Sequence, residues 1–238
     1  MKLKIMIYSL VSLFTIFLNI GPGDCRELKK YSIEQFMKTI SIGGSSFSFD
    51  EKSILFSSNQ TGIFNAFVLP VTGGKPSQLT FSKGDSIFAL SFFPHDDRIL
   101  YQSDRGGNEI GHIYLRDGKG DVRDLTPDEK AKSVFYGISY DESRIYYGCN
   151  KRDPKFMDVY EMDIDTFTPH MIFKNEGAYS LGSVSRDNRY LAFSKTITRD
   201  NSDIYLFDRK TGEFKQLTPH DGDINYSPET FSVDSKSL

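Results

Sequence analysis

Tryptophan is absent from this chain of 238 residues, histidine occurs four times and cysteine twice. Without tryptophan, no repeat built on a Trp-Asp dipeptide is present. Two cysteines, Cys25 and Cys149, are too few for a disulfide-built scaffold. Cys25 lies at the boundary of a leader segment, so Cys149 is expected to be a buried free thiol. His95, His112, His170 and His220 fall in separate segments with no shared ligand spacing, which argues against a metal site. Excess charge of either sign is also missing. The 29 Lys and Arg stand against 32 Asp and Glu, a net charge of -3, which offers no positive field to a nucleic-acid backbone. No long stretch carries a 3.6-residue apolar period, so helical solenoids are set aside.

The long apolar run is Ile5 to Ile20, preceded by Lys2 and Lys4 and closed by Gly21-Pro22-Gly23. This layout predicts a signal peptide over 1–23, cleaved after Gly23, and hence export to the periplasm or the outside of the cell. Its 16 residues fall short of the roughly 20 needed to span a bilayer. An uncleaved anchor is the alternative reading, and no other membrane association is expected. Asp24 and Pro22 before Cys25 do not match the Leu-x-small-Cys pattern of bacterial lipoproteins.

What the chain has in quantity is 20 Phe, 13 Tyr and a repeat. Asp50, His95, Asp141, Asp187 and Asp234 each precede an aliphatic residue by four positions (Ile54, Ile99, Ile145, Leu191, Leu238), at steps of 45, 46, 46 and 47. A short apolar strand follows each turn. A further strand opens at Asn65, His112, Asp158 or Asp203, with an aromatic two residues on at Phe67, Tyr114, Tyr160 or Tyr205. Turns reading VTGGK, RDGKG, DIDTF and DRKTGE, rich in residues that tolerate positive φ or bond their own backbone, lead to closing strands. Three of these end in Leu-Thr, at Leu79-Thr80, Leu125-Thr126 and Leu217-Thr218, whereas the third repeat has Ile172-Phe173.

This period matches the roughly 40–45 residues of a four-stranded propeller blade. The expected fold is all-β: a β-propeller of four-stranded antiparallel blades, with about four and a half present. The blades are placed at about 45–80, 88–126, 134–173 and 180–218, with a partial one over 226–238. Copies in such register set aside a plain sandwich. Residues 24–44 form a lead-in. Within it, Ser32 and Gln35 make a capping box, and Ile33, Phe36 and Met37 make an apolar face, so one short helix is expected.

The segments YSIEQFMKT, NQTGIFNAFVLPVTGGKPSQLT and FFPHDDRILYQSDRGGNEIGHIYL resemble the amino-terminal propeller of the prolyl oligopeptidase (S9) family of serine peptidases, in its dipeptidyl and acylaminoacyl peptidase branch. The likeness runs from about Tyr31 to the end. The repeats are also similar to those of TolB, a periplasmic propeller that binds protein partners and has no enzymatic activity. TolB carries a whole α/β domain ahead of its blades, where this chain has about twenty residues, which favours the peptidase branch. In that family the propeller caps an α/β-hydrolase domain that carries the Ser, Asp and His of the triad. The resemblance thus implies a non-catalytic region that gates a hydrolase domain lying beyond Leu238, admits short peptides and helps anchor their amino ends.

The nucleophile motif Gly-x-Ser-x-Gly is absent; Gly43-Gly44-Ser45-Ser46-Phe47 and Gly137-Ile138-Ser139-Tyr140-Asp141 each lack the last Gly. No catalytic residue, cofactor or metal ligand is therefore assigned. Peptide substrate would be a partner only through the hydrolase domain, and a protein partner belongs to the TolB-like alternative. His95 is expected as a turn residue and His112 as the polar opening of a strand. The most charged connection, with Asp104, Arg105, Asn108 and Glu109, is the candidate channel or interface loop, against the plain reading of a solvated loop. Propellers close at four to eight blades and so protect their strand edges. Four blades and the start of a fifth are accordingly expected to be the amino-terminal part of a longer polypeptide.

Overall fold

The computed structural model describes residues 28–238. The leader and Cys25 lie outside the described residues. Helix α1 (Ile33–Met37) opens on a capping box, in which Ser32 Oγ accepts the Gln35 N–H at 3.2 Å and Gln35 Oε1 accepts the Ser32 N–H at 2.9 Å. Among the described residues no helix is long and apolar enough to cross a membrane.

Residues 40–238 form a separate unit. Its first sheet holds β1 (Ile42–Phe47), β2 (Ser53–Ser58), β3 (Asn65–Pro70) and β4 (Ser77–Gln78), and its second β5 (Ile87–Phe92), β6 (Ile99–Ser103), β7 (His112–Arg116) and β8 (Val122–Asp124). The third holds β9 (Ser133–Ile138), β10 (Arg144–Cys149), β11 (Asp158–Asp163) and β12 (Pro169–Phe173), and the fourth β13 (Ser180–Val184), β14 (Tyr190–Thr198), β15 (Asn201–Asp208) and β16 (Phe214–Gln216). Within each sheet the strands pair in chain order, antiparallel throughout. These are four propeller blades. After them, 232–237 repeat the turn that joins the first two strands of a blade, with the Ser232 N–H donating to the Ser237 carbonyl at 2.8 Å.

Alternation along the second strand decides how blades pack. Ile99, Ile145 and Leu191 are fully buried, each in one of the three apolar clusters that join successive blades. The aromatic of each third strand stands opposite one on the second strand. Phe56 and Phe67, Tyr101 and Tyr114, and Tyr147 and Tyr160 stack with centroids 5.8, 5.2 and 5.3 Å apart, a cross-strand contact that pleated surfaces favour.

The Leu-Thr pairs clamp the third strand. Leu79, Leu125 and Leu217 donate their N–H groups to the carbonyls of Ala66, Ile113 and Ile204 at 2.9, 2.8 and 2.8 Å. The adjoining Thr80, Thr126 and Thr218 hydroxyls accept the N–H of the same three residues at 2.8, 3.0 and 2.9 Å. The third blade lacks this threonine; there the Asn175 N–H bonds Asp158 at 2.8 Å and Arg152 holds the same carboxylate through two bonds of 2.8 Å.

The recurring aspartate works with a serine two residues before it. Ser48, Ser139, Ser185 and Ser232 donate to Asp50, Asp141, Asp187 and Asp234 at 2.7, 2.6, 2.6 and 2.7 Å. These hydroxyl bonds, first among several causes, hold all four carboxyls below the usual aspartate range. The residue after each aspartate takes a left-handed φ of 56–58° at Glu51, Glu142, Asn188 and Ser235. The second blade departs from the expected register. His95 stands in the aspartate's place but itself takes φ 67°, and Asp96, one residue on, accepts the Arg98 N–H at 2.9 Å. Phe93 replaces the serine of the other copies and Pro94 the residue after it, so the carboxylate turn forms one position later. Neighbouring turns also touch: His95 Nε2 lies 2.6 Å from Glu142 Oε2, and Asn188 Nδ2 donates to Asp141 at 2.9 Å.

Candidate functional site

The β6–β7 connection, 104–111, is ordered by its own polar groups and by Asp85 from the connection before β5. Asp104 Oδ2 accepts the Glu109 N–H at 2.8 Å, Asn108 Oδ1 accepts the Ile110 N–H at 3.0 Å, and Asp85 Oδ1 accepts the Gly106 N–H at 2.7 Å. Gly106 and Gly107 take φ of 63° and 73° in succession, a backbone that residues with a Cβ adopt only under strain. Of the four residues singled out in the sequence, Asp104 fastens the loop and Glu109 is exposed beside it. Arg105 and Asn108 line a cleft of about 450 Å³.

The rest of the cleft comes from Ile110 of the same loop, from His112, Tyr114 and Asp124 on β7 and β8, and from Pro127, Asp128 and Glu129 in the connection that follows. His112 Nδ1 lies 2.8 Å from Asp124 Oδ2, and Asp124 Oδ1 accepts the Thr126 N–H at 3.0 Å. The Tyr114 ring stacks between Tyr101 and His112, at 5.2 and 6.2 Å. Burial pushes the Tyr101 phenol up to about 12. Burial first, then the Asp124 charge, raises Tyr114 as well, while a hydrogen bond with Arg105 pulls it down. Both phenols thus stay protonated at neutral pH and act as hydrogen-bonding groups rather than nucleophiles. Arg105 has no carboxylate partner among the described residues. Its guanidinium is available to a carboxylate or carbonyl oxygen.

His112 itself is a brace. The same position in the other blades holds Asn65, Asp158 and Asp203, all buried and all tied to the following connection. Asn65 Oδ1 accepts from Thr80 and Ser82, Asp158 Oδ1 from the Asn175 N–H at 2.8 Å, and Asp203 from the Thr218 hydroxyl at 3.0 Å, with His220 Nδ1 at 3.2 Å. Among the described residues no histidine bonds a serine hydroxyl, and no three metal-ligating side chains converge. The cleft offers recognition by hydrogen bonds and aromatic surface, without an assembled nucleophile, base and orienting group. Tyr114 and Asp128 went unnoticed as cleft residues in the sequence. Asp124, two places before Thr126, carried a usable signal, because the Leu-Thr ending places it beside the strand opening.

Blades and cleft together define an incomplete β-propeller with a polar, aromatic-lined cleft on its second blade. No family model matches the chain. It is similar to dipeptidyl aminopeptidase BIII of Pseudoxanthomonas mexicana, 27% identical over 186 residues that cover 74% of this chain and 26% of that protein. Among solved structures it is similar to TolB from Acinetobacter baumannii (TM-score 0.57, 20% identity, covering 77% of this chain and 45% of that one). A putative TolB from Agrobacterium tumefaciens gives a TM-score of 0.56 at 18% identity, over 73% of this chain and 64% of that one. The chain therefore spans about a quarter of the length of the curated relative it matches. The resemblance to an S9 peptidase propeller and the resemblance to TolB are both found, the first in sequence and the second in fold.

Proposed function

We propose that the chain is the non-catalytic propeller region of an exported S9-type serine peptidase, capping and gating a hydrolase domain that cleaves short peptides. The observation that carries this reading is the sequence likeness to a dipeptidyl aminopeptidase over 186 residues, confined to 26% of that protein. The remainder of such an enzyme has room for a separate catalytic domain. Within this arrangement the blades exclude folded proteins and the acyl transfer belongs to the other domain's Ser, His and oxyanion hole. The charged loop with Arg105 and Asn108 is then a surface that meets the hydrolase domain or the substrate path. The leader supports export.

A second reading, a TolB-like periplasmic propeller that binds protein partners, is favoured by the fold likeness alone. One experiment separates the two. The coding sequence after Leu238 is read, and the complete product is treated with a fluorophosphonate probe for active serine hydrolases. A downstream Gly-x-Ser-x-Gly and a labelled product support the peptidase. A stop codon soon after the last blade and an unlabelled product leave the binding propeller.

A further inference from the structure

The three blade interfaces are built to one plan and filled in three different ways. Each has a slot floored by one residue of a third strand and one at the end of a closing strand: Val68 and Leu79, Leu115 and Leu125, Glu161 and Ile172. The filler comes from the hairpin between the third and fourth strands of the following blade. In the third blade it is Ile164, whose N–H donates to the Ser143 carbonyl at 3.1 Å, helped by Phe167. Both pack on the core that contains Leu115 and Leu125, and the Phe167 ring lies 6.2 Å from Phe93 with the Arg123 guanidinium 4.7 Å above it. In the fourth blade the equivalent residue is Arg209, with its N–H on the Arg189 carbonyl at 3.0 Å. Its guanidinium bonds Glu161 at 2.9 Å.

In the second blade this position is Gly118. It has no side chain to insert, and the Asp97 carboxylate lies where a Cβ would project. The consequence is visible in the floor. Leu115 and Leu125 are 7% and 8% exposed, while Val68 and Leu79 remain half-buried. A cavity of about 350 Å³ is left between the first two blades, lined by Val68, Leu79, Phe92 and Phe49 together with Asp50, Asp96, Asp97 and Arg116. Two of its carboxylates are matched, Asp50 by Lys52 at 3.3 Å and Asp96 by Arg98 at 2.7 Å. Asp97 is exposed and has no cationic partner among the described residues.

We propose that this groove docks a peptide segment of another protein, one that inserts an aliphatic or aromatic side chain beside a lysine or arginine. The neighbouring interface shows what the fold accepts in such a slot: an inserted apolar side chain, there Ile164 with Phe167. The apolar floor supplies the driving force for the inserted side chain, and the unmatched Asp97 selects the adjoining positive charge. A carboxylate at that point of the segment would instead face the unmatched Asp97 and weaken binding. The inference stands apart from the hydrolase reading, since it rests on the groove alone.

The test uses the full chain and two fluorescein-labelled, end-capped peptides, Gly-Phe-Arg-Gly and Gly-Phe-Glu-Gly, followed by fluorescence anisotropy. The Phe-Arg peptide is expected to bind about tenfold or more tighter than its Phe-Glu counterpart. Gly118→Ile, which supplies the side chain that the third blade uses, is expected to abolish binding of both. Asp97→Lys, at an exposed position that does not endanger folding, is expected to reverse the preference, and carries the test if Gly118→Ile does not fold. Binding that is absent, equal for the two peptides, or unchanged by the substitutions overturns the proposal. A rise in Tm for Gly118→Ile with no peptide bound to the parent chain likewise overturns it, leaving an underpacked interface.

Discussion

Replacing Thr80 by Val tests whether the Leu-Thr ending is a structural clamp. The two side chains have nearly the same shape, so the change is polar. Thr80 is 6% exposed, and its hydroxyl accepts the buried Ala66 N–H at 2.8 Å while donating to Asn65 Oδ1 at 3.0 Å. Val leaves the Ala66 N–H without a partner, at about 1–3 kcal/mol, and removes one bond to Asn65, at about 0.5–1.5 kcal/mol, since Asn65 keeps the Ser82 N–H. The expected loss is about 1.5–4.5 kcal/mol. For a unit of this size that lowers Tm by roughly 3–18 °C. Thr126→Val is the internal control: its half-buried hydroxyl makes one such bond, to Ile113 at 3.0 Å, and about 1–2 kcal/mol is expected. Urea denaturation of both variants, read as a shift in midpoint at unchanged m, measures the difference. A Thr80→Val cost equal to or smaller than that of Thr126→Val refutes the clamp, because burial and bond count would then not set the energy.

Arg152→Met strips the fully buried Asp158 of a two-bond partner; a lower urea midpoint is expected, and adding Asp158→Asn in the same chain restores most of it. The four turn aspartates have carboxyls held below their ordinary value of 3.8. Their contribution is therefore fully present above about pH 4 and is lost as pH falls through the depressed folded values. Ser139→Ala, which removes the hydroxyl that bonds Asp141 and the Arg144 N–H, is expected to lower Tm at pH 6, with the gap from the parent narrowing by pH 3; a gap that widens in acid contradicts the assignment. Cys149 is buried and free, so a thiol reagent should react slowly with the native chain and fully in denaturant; rapid native labelling would show that the closing end of β10 opens.

Much of the fold was legible because a blade writes itself into the chain as a local pattern. Ile99, Ile145 and Leu191 recur because each lies at the same depth between sheets, and the Leu-Thr ending recurs because the same backbone N–H needs an acceptor. The Ser-x-Asp pairing at Ser48, Ser139, Ser185 and Ser232 is equally local, although the hydroxyl-to-carboxylate bond exists only in the folded turn. His95 shows where pattern alone misleads. Alignment puts it in the aspartate's place, yet Pro94 alters the turn and the carboxylate's work passes to Asp96. For the candidate loop, sequence marked Arg105 and Asn108 through charge and glycine content, but not Tyr114 or Asp128, which share the cleft only once β7 and the following connection are folded against each other.

By itself the sequence determined the period, the strands, the apolar positions that face neighbouring blades and the polar braces within each, because these depend on backbone hydrogen bonding and on burial along one strand. The tertiary structure alone decided what meets across the interfaces: His95 against Glu142, Arg209 against Glu161, and Phe92 without any inserted hairpin side chain beside Val68 and Leu79, where Gly118 leaves a groove. Those partners lie a blade apart in the chain, and what each interface leaves filled or empty depends on side-chain volumes from two repeats together, a quantity no single repeat contains.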